Sequence, residues 1–236
     1  MRFRLVLGAL LATLATLTAF VTSPVSASGH DRNTVATYTI TVENLTGGQY
    51  LTPPNFAAHD RSADVFSAGQ PASPGVQAVA ENGAVPTLAA ELTAAIDDAG
   101  LGTSGVGAAD PISPGQSITF DVTSSERRLS IVAMVICTND GFAGLDSRPL
   151  PARDGQTRTY YLRAYDAGTE INTEARQDLV PAPFCGEGEG TDMTNPDLAE
   201  NSVIRNHPGI QGIGDLDPAQ FGWNGPVAKL TVTRIG

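Results

Sequence analysis

The sequence predicts an all-β protein, an antiparallel β-sandwich with one short helix and long Gly/Pro-rich loops, and three observations carry that prediction. Residues 37–43, 117–123 and 158–165 alternate apolar or aromatic with polar side chains, the pattern of strands that turn one face to a core. Residues 131–136 are apolar at every position and rich in β-branched side chains. That run is short for a helix and reads as a central strand covered on both faces. The connecting stretches hold most of the 25 glycines and 16 prolines, which favour turns over long helices.

Taken in order, residues 1–27 have the form of an export signal. Arg2 and Arg4 lead an apolar run over 5–21, and Val25-Ser26-Ala27 offers a small-residue cleavage site. Cleavage after Ala27 is expected, with no stable membrane insertion afterwards; a retained anchor is the alternative, because the run approaches bilayer-spanning length. Residues 28–36 read as a polar leader and 37–236 as one domain, an ordinary size for an all-β fold. In the first strand Tyr38, Ile40 and Val42 are offset from Thr37, Thr39 and Thr41. Asn44-Leu45-Thr46 spells a glycosylation sequon, meaningful only in a host with that machinery. Short strands are expected at Tyr50-Leu51 and at 55–59.

From 60 to 85 the composition shifts to Gly, Pro, Ser and Ala and reads as ordered loop. The expected helix runs from Pro86 to Gly100, with Leu88, Leu92 and Ile96 at helical spacing and Glu91, Asp97 and Asp98 on a solvated face. Residues 102–107 read as a flexible passage. The strand at 117–123 directs Ile118, Phe120 and Val122 inward and is expected to form a hairpin with the buried run that begins at Leu129. Residues 171–206 read as irregular with one helical turn. A closing strand over 227–235 offers Val227, Leu230 and Val232 to the core, with Trp223 beside it. No repeat of 20–50 residues is visible, so a solenoid or propeller is not supported.

Acidic side chains outnumber basic ones 25 to 14, for a formal charge of −11, and loss of the signal arginines moves it to about −13. Phosphate binding needs a basic face, so no nucleic-acid partner is expected. The acidity suits a divalent cation or a basic partner, and equally suits solubility in an extracellular or salty setting. Cys137 and Cys185 are even in number in an exported chain and are a disulfide candidate. Their bond would close a loop of about 48 residues and stabilise the fold by roughly 4 kcal/mol in the chain-entropy model. Two cysteines with no neighbouring histidine do not make a zinc site.

Chemistry gathers where the buried run ends. Thr138-Asn139-Asp140-Gly141 sets an amide, a carboxylate and a turn glycine at the mouth of a rigid strand, and Tyr165-Asp166-Ala167-Gly168-Thr169-Glu170 repeats the arrangement with two carboxylates around a glycine. We read the two loops as one site. Calcium takes six to eight oxygens at about 2.3–2.6 Å; Asp140, Asp166 and Glu170 offer carboxylates and Asn139 an amide oxygen. The simpler alternative is that both loops are Asx turns.

Enzyme readings are weaker. The histidines are His30 in the polar leader, His59 and His207. His59 beside Asp60, with serines nearby, can be drawn as a hydrolase triad, but no Gly-x-Ser-x-Gly elbow joins a strand to a helix. A histidine ending an apolar strand serves more simply as a structural hydrogen bonder, and His207-Pro208-Gly209 reads as a turn. Asp140 and Asp166 could be drawn as a glycosidase pair. No aromatic sugar platform accompanies them, the chain holding 8 Phe, 5 Tyr and 1 Trp. No catalytic residue is expected.

Several segments resemble the spondin domain, the N-terminal module of the F-spondin and mindin group, in its stand-alone bacterial form. Ser130, Met134, Thr138-Asn139-Asp140-Gly141-Phe142 and Tyr165-Asp166-Ala167-Gly168-Thr169-Glu170 carry the resemblance. His59, the stretch 66–75, Ala80-Glu81-Asn82-Gly83, Ile112-Ser113-Pro114-Gly115 and the stretch 223–228 extend it over about residues 37–235. The resemblance implies a C2-type sandwich whose loops hold calcium, with Asp140, Asp166 and Glu170 at the acidic positions of the two motifs.

The expectation is a secreted, calcium-binding, non-enzymatic recognition or adhesion module at the cell surface or in the extracellular matrix. Its partner would be a surface protein or a carbohydrate, which the sequence does not name, and its oligomeric state is open. An exported structural protein without metal and a carboxylate-dependent hydrolase are the alternatives.

Overall fold

The computed structural model describes residues 34–187 and 190–236. The expected export signal, cleavage after Ala27 and the leader as far as residue 33, His30 included, lie outside the described residues. Among the described residues no helix is long and apolar enough to cross a membrane.

The described chain is all-β and antiparallel with a few short helices. Its elements are β1 (Ala36–Asn44), β2 (Asn55–His59), α1 (Pro74–Asn82), α2 (Val85–Leu92) running on into a π turn (Thr93–Asp97), β3 (Gly102–Val106), β4 (Ser117–Ser124), β5 (Arg128–Met134), β6 (Gly141–Pro149), β7 (Thr157–Asp166), β8 (Arg205–Asn206), α3 (Pro218–Phe221) and β9 (Ala228–Arg234). Neighbouring strands follow the order β3-β2-β5-β6-β7-β9-β1-β4, with β8 added to β7. The two layers share β7. Its first half, Thr157 to Leu162, pairs with β9, and its second half, Arg163 to Asp166, pairs with β6. A strand that changes partners midway bends the sheet into a sandwich without an extra connection.

Two apolar layers result. Tyr38, Ile40 and Val42 of β1 and Leu230 and Val232 of β9 meet Leu129, Ile131 and Ala133 of β5 between the sheets. On the far side of β5, Val132 and Met134 join Val76 and Val79 of α1 and Leu88, Leu92 and Ile96 beyond it. Alternate residues of β5 therefore serve two different cores, which is the reason its sequence shows no polar face. Burying one such Leu or Ile side chain stabilises by roughly 1.5–3 kcal/mol.

Five expectations are corrected. Residues 60–85 are not all loop, because α1 lies within them. Ser73 Oγ accepts the Val76 N–H at 3.2 Å, Pro74 opens the helix, and Gly83 closes it in the left-handed region at φ 62, so the Ser, Pro and Gly that suggested a loop are its caps. The expected single helix is accordingly α2 with its π turn, accompanied by α1 and α3. Residues 102–107 contain an edge strand, β3, and not a flexible passage. Its glycines let it lie against β2, where a Cβ on Gly102 would strike the Ala58 carbonyl and one on Gly105 would meet the Phe56 ring. The expected hairpin of 117–123 with the run at 129 does not form. β4 pairs with β1, while β5 pairs with β2 and β6, so residues 125–127 cross between layers. Glu91 is not simply solvated, since its carboxylate accepts the Gly75 N–H at 2.6 Å at the start of α1, where negative charge is favoured.

The remaining assignments are finer. The expected strand at Tyr50-Leu51 reduces to isolated bridges from Leu51 to Ile112 and Val135. β6, which the sequence did not announce, forms a hairpin with β5. Asn44 of the sequon is fully buried and donates to the carbonyls of Gln49 and Ile112, so it is closed to a glycan.

Candidate metal centre

The β5–β6 hairpin and the end of β7 create the site. Opposite Asp166 in the register stands Gly141, which sets the two acidic loops side by side as the sequence predicts. The hairpin turn is braced by Thr138, whose hydroxyl donates to Val135 O at 2.6 Å and accepts from Gly141 N at 2.8 Å. Asp140 follows that brace, and its carbonyl accepts from Ala167 N at 3.0 Å, tying one loop to the other. The disulfide between Cys137 and Cys185, with Cα atoms 5.4 Å apart, fastens the same turn to the segment that covers it. The expected pairing of the cysteines holds.

Asp140 is fully buried. Its Oδ2 accepts from the backbone N–H of Thr169 at 2.8 Å and of Glu170 at 3.0 Å, and from the Thr169 hydroxyl at 3.3 Å. Its Oδ1 is buried and has no hydrogen-bond partner among the described residues. Burial, and then the nearby Asp166 charge, push its carboxyl up to about 6 against the pull of the N–H donors of Glu170 and Thr169. Glu170 is also buried and accepts from Asn195 N at 3.0 Å through Oε1. Its carboxyl is pushed up to about 7, first by burial, with the Asn195 N–H opposing and the charges of Glu81, Asp140 and Asp178 adding to the rise.

Asp166 and Asn139 are placed at the same centre but are occupied. Asp166 Oδ1 accepts from Gly168 N at 2.8 Å, and its Oδ2 accepts from Asn172 Nδ2 at 2.7 Å and from the Arg205 guanidinium at 3.1 Å. Asn139 Oδ1 accepts from the N–H groups of Thr173 and Glu174, while its Nδ2 donates to Thr173 Oγ1. Gly168 sits at φ 72, and any Cβ there would press on the backbone of Val203 at 2.6–2.7 Å. The loop after β7 therefore requires glycine at this point.

The sequence reading missed the outer members of this cluster. Glu81, in the last turn of α1, accepts from Gln77 Nε2 at 2.8 Å and from Thr194 Oγ1 at 2.5 Å. Asp178 accepts from Thr173 Oγ1 at 2.8 Å. Glu174 receives the N–H groups of Gln211, Gly212 and Ile213 and organises that loop. Only Glu81 left a signal, within Ala80-Glu81-Asn82-Gly83; nothing local to Asp178 or Glu174 distinguishes them from solvated acids.

An orphaned buried oxygen on Asp140 beside a second desolvated acid suits a hard cation. The carboxylates adjoin without converging. Among the described residues no set of three or more His, Cys, Asp or Glu side chains is gathered so that it could hold an ion by itself, so carbonyls and water would have to complete a coordination shell.

The triad drawn from His59 takes a definite form at the opposite end of β5. Fully buried His59 places Nε2 2.9 Å from Ser130 Oγ and Nδ1 2.7 Å from the Asp60 carbonyl. Ser130 Oγ donates to Asp146 Oδ1 at 3.3 Å and accepts from Ser147 N at 2.8 Å, across a bulge that disturbs the register between Leu129 and Ile131. Each group is engaged inside the fold, the arrangement of a structural network. His207 lies in an irregular stretch after β8, its Nδ1 accepting from Gly209 N.

Comparison with known families matches residues 55–177, slightly more than half of the chain, to the model described as Spondin_N. The matched span contains β2 through β7, both acidic loops and Glu81. A search of the curated proteins returns no match.

Proposed function

The chain belongs to the spondin N-terminal domain family, extracellular-type recognition modules that are in general non-enzymatic, and on that premise we propose a secreted, calcium-binding recognition or adhesion module acting at the cell surface or in the extracellular matrix. The observation that carries the proposal is Asp140 Oδ1, a buried carboxylate oxygen without a donor, next to the desolvated acid of Glu170. Asp140 and Glu170 would hold the ion, with backbone carbonyls and water completing six to eight oxygens. Asp166 and Asn139, expected from the sequence to be ligands, would act by position. Asp166 fixes the loop after β7 through Gly168, Asn172 and Arg205, and Asn139 fixes the segment at Thr173 and Glu174. Calcium would supply positive charge that offsets the repulsion among these acids. With the loops held in one arrangement, the mouth of the sandwich becomes a rigid surface for a protein or carbohydrate partner. The disulfide fits an oxidising compartment.

A second reading, an exported structural protein without metal, has one observation in its favour, the full hydrogen bonding of Asp166 and Asn139. Thermal unfolding of the oxidised protein, first in excess chelator and then across a calcium titration, separates the two. Calcium at 100 times its dissociation constant should add about 2.7 kcal/mol and raise the midpoint by a few degrees. A midpoint that stays flat from micromolar to millimolar calcium removes the metal and leaves the structural reading.

A further inference from the structure

Away from the acidic loops, a cleft of about 400 Å³ opens where α1 ends, α2 begins and β3 finishes. Val85, Val106, Met134, Ile136, Val180 and Phe184 supply most of its apolar lining. Contacts within the chain hold the walls in place. Phe184 packs edge-on against Tyr50 with ring centroids 5.2 Å apart, and its neighbour Cys185 is tied to Cys137. Gly83 is fixed by its N–H bond to Val79 O at 2.9 Å, and three prolines, at 53, 86 and 111, stiffen the rim. A preformed, mainly apolar concavity of this size, with a few directed polar groups, is the usual form of a small-molecule site.

Two polar groups face the problem of orientation. Thr52 Oγ1 accepts from Met134 N at 2.8 Å, and among the described residues its hydroxyl hydrogen has no acceptor. Asn82 uses its amide N–H on Thr194 Oγ1 at 2.9 Å, and its Oδ1 accepts nothing among the described residues. Thr52 and Asn82 are the polar side chains of the lining. Charge selects the occupant further. Among the described residues no Asp, Glu, Lys, Arg or His lines the cleft, in a chain of formal charge −11. An anion meets an unfavourable field with no cation to hold it, and a cation finds no carboxylate in the lining.

We propose that this cleft binds a neutral, predominantly apolar small molecule. The proposal does not depend on the calcium reading, and its test is run in chelator. The oxidised protein is titrated with N-phenyl-1-naphthylamine, a neutral probe with a single N–H, and with its anionic relative 1-anilinonaphthalene-8-sulfonate. The neutral probe should show a saturable fluorescence rise at one probe per chain, and the anionic one should bind at least about tenfold more weakly. Ala108→Phe, which fills the cleft from its wall, should weaken the neutral probe by about tenfold or more while near-ultraviolet circular dichroism is unchanged. If that variant loses its fold, the more exposed Ala109→Phe carries the same test. The proposal is overturned by the absence of saturable binding to folded protein, by equal binding of both probes, or by undiminished binding to the folded filled variant. It is also overturned if sedimentation shows that self-association, and not the probe, covers the cleft.

Discussion

The two ends of the β5–β6 pair bury polar clusters of similar composition that are satisfied in opposite ways. At the His59 end, the imidazole, the Ser130 hydroxyl, the Asp146 carboxylate and the Ser147 N–H close a network within the protein. At the Asp140 end, N–H groups of the neighbouring loop cover one carboxylate oxygen and leave the other buried and bare. Burial alone therefore does not mark a site. The useful distinction is whether the protein supplies enough donors, because a buried acceptor without one costs about 1–3 kcal/mol and more when charged. The first end is finished by folding, while the second is poised for a positive charge from outside.

Breaking the finished end should give the largest effect. Ser130→Ala removes the hydroxyl at little change of volume and strands His59 Nε2, Asp146 Oδ1 and the Ser147 N–H together. A loss of about 3 kcal/mol is expected, read from the urea midpoint, and it should be the same in chelator and in saturating calcium. A loss below about 1 kcal/mol would mean that water replaces the hydroxyl and that the network is not closed.

At the other end the same measurement should split by condition. Asp140→Asn keeps the shape but removes the desolvated charge, so in chelator the variant should match the parent or exceed it by up to about 1 kcal/mol. In saturating calcium it should fall behind by the increment that the parent gains, about 2.7 kcal/mol at 100 times the dissociation constant. Equal responses of parent and variant to calcium would place any bound ion elsewhere. Asp166→Asn is expected to differ, destabilising under both conditions, because Arg205 and Asn172 lose their partner.

The contrast also explains what could be read from the sequence. β5 was legible because each of its faces serves a core, so even a short segment is apolar throughout, and the acidic loops were legible because Asp beside Gly marks turns at strand ends. The register that joins them, Gly141 opposite Asp166, follows from hairpin geometry once β6 is known, but β6 itself carries Gly141, Gly144 and Asp146 and lacks a clear alternation. α1 was hidden because its capping residues are also loop formers. β3 was hidden because its glycines, poor strand formers, are demanded by close approach to β2, a tertiary constraint with no local trace. The crossing from β4 to β5 is hidden because length alone does not say whether a short connection stays in one sheet. Whether Asp140 or Asp166 keeps a free oxygen depends on Arg205 and Asn172, contacts that no local pattern reveals.

The smallest effect expected is the dependence of the chelated protein on pH, and its sign discriminates. Asp140 and Glu170 have carboxyls raised from 3.8 to about 6 and from 4.5 to about 7, so the folded state holds these protons more tightly than the unfolded chain. Their contribution is fully present below the unfolded values and is lost as pH rises through about 6 to 7. Opposing them is His207, which burial lowers from 6.5 to about 4. The unfolded chain protonates it first, so its contribution is lost as pH falls from 6.5 toward 4. Between pH 4 and 6.5 the histidine offsets one of the two carboxyls, so a net fall with rising pH remains, and from 6.5 to 7.5 mainly the Glu170 loss is left. The chelated protein should therefore lose a small part of its stability across that upper interval, measured as a falling thermal midpoint. Saturating calcium, by favouring the ionised acids, should flatten or reverse the slope. Glu170→Gln should remove most of the fall in chelator while leaving the acid limb set by His207, and His207→Gln should do the converse. If the slope survives in Glu170→Gln, the acidic loops are not where the protons are held, and the distinction between a finished end and a poised one fails.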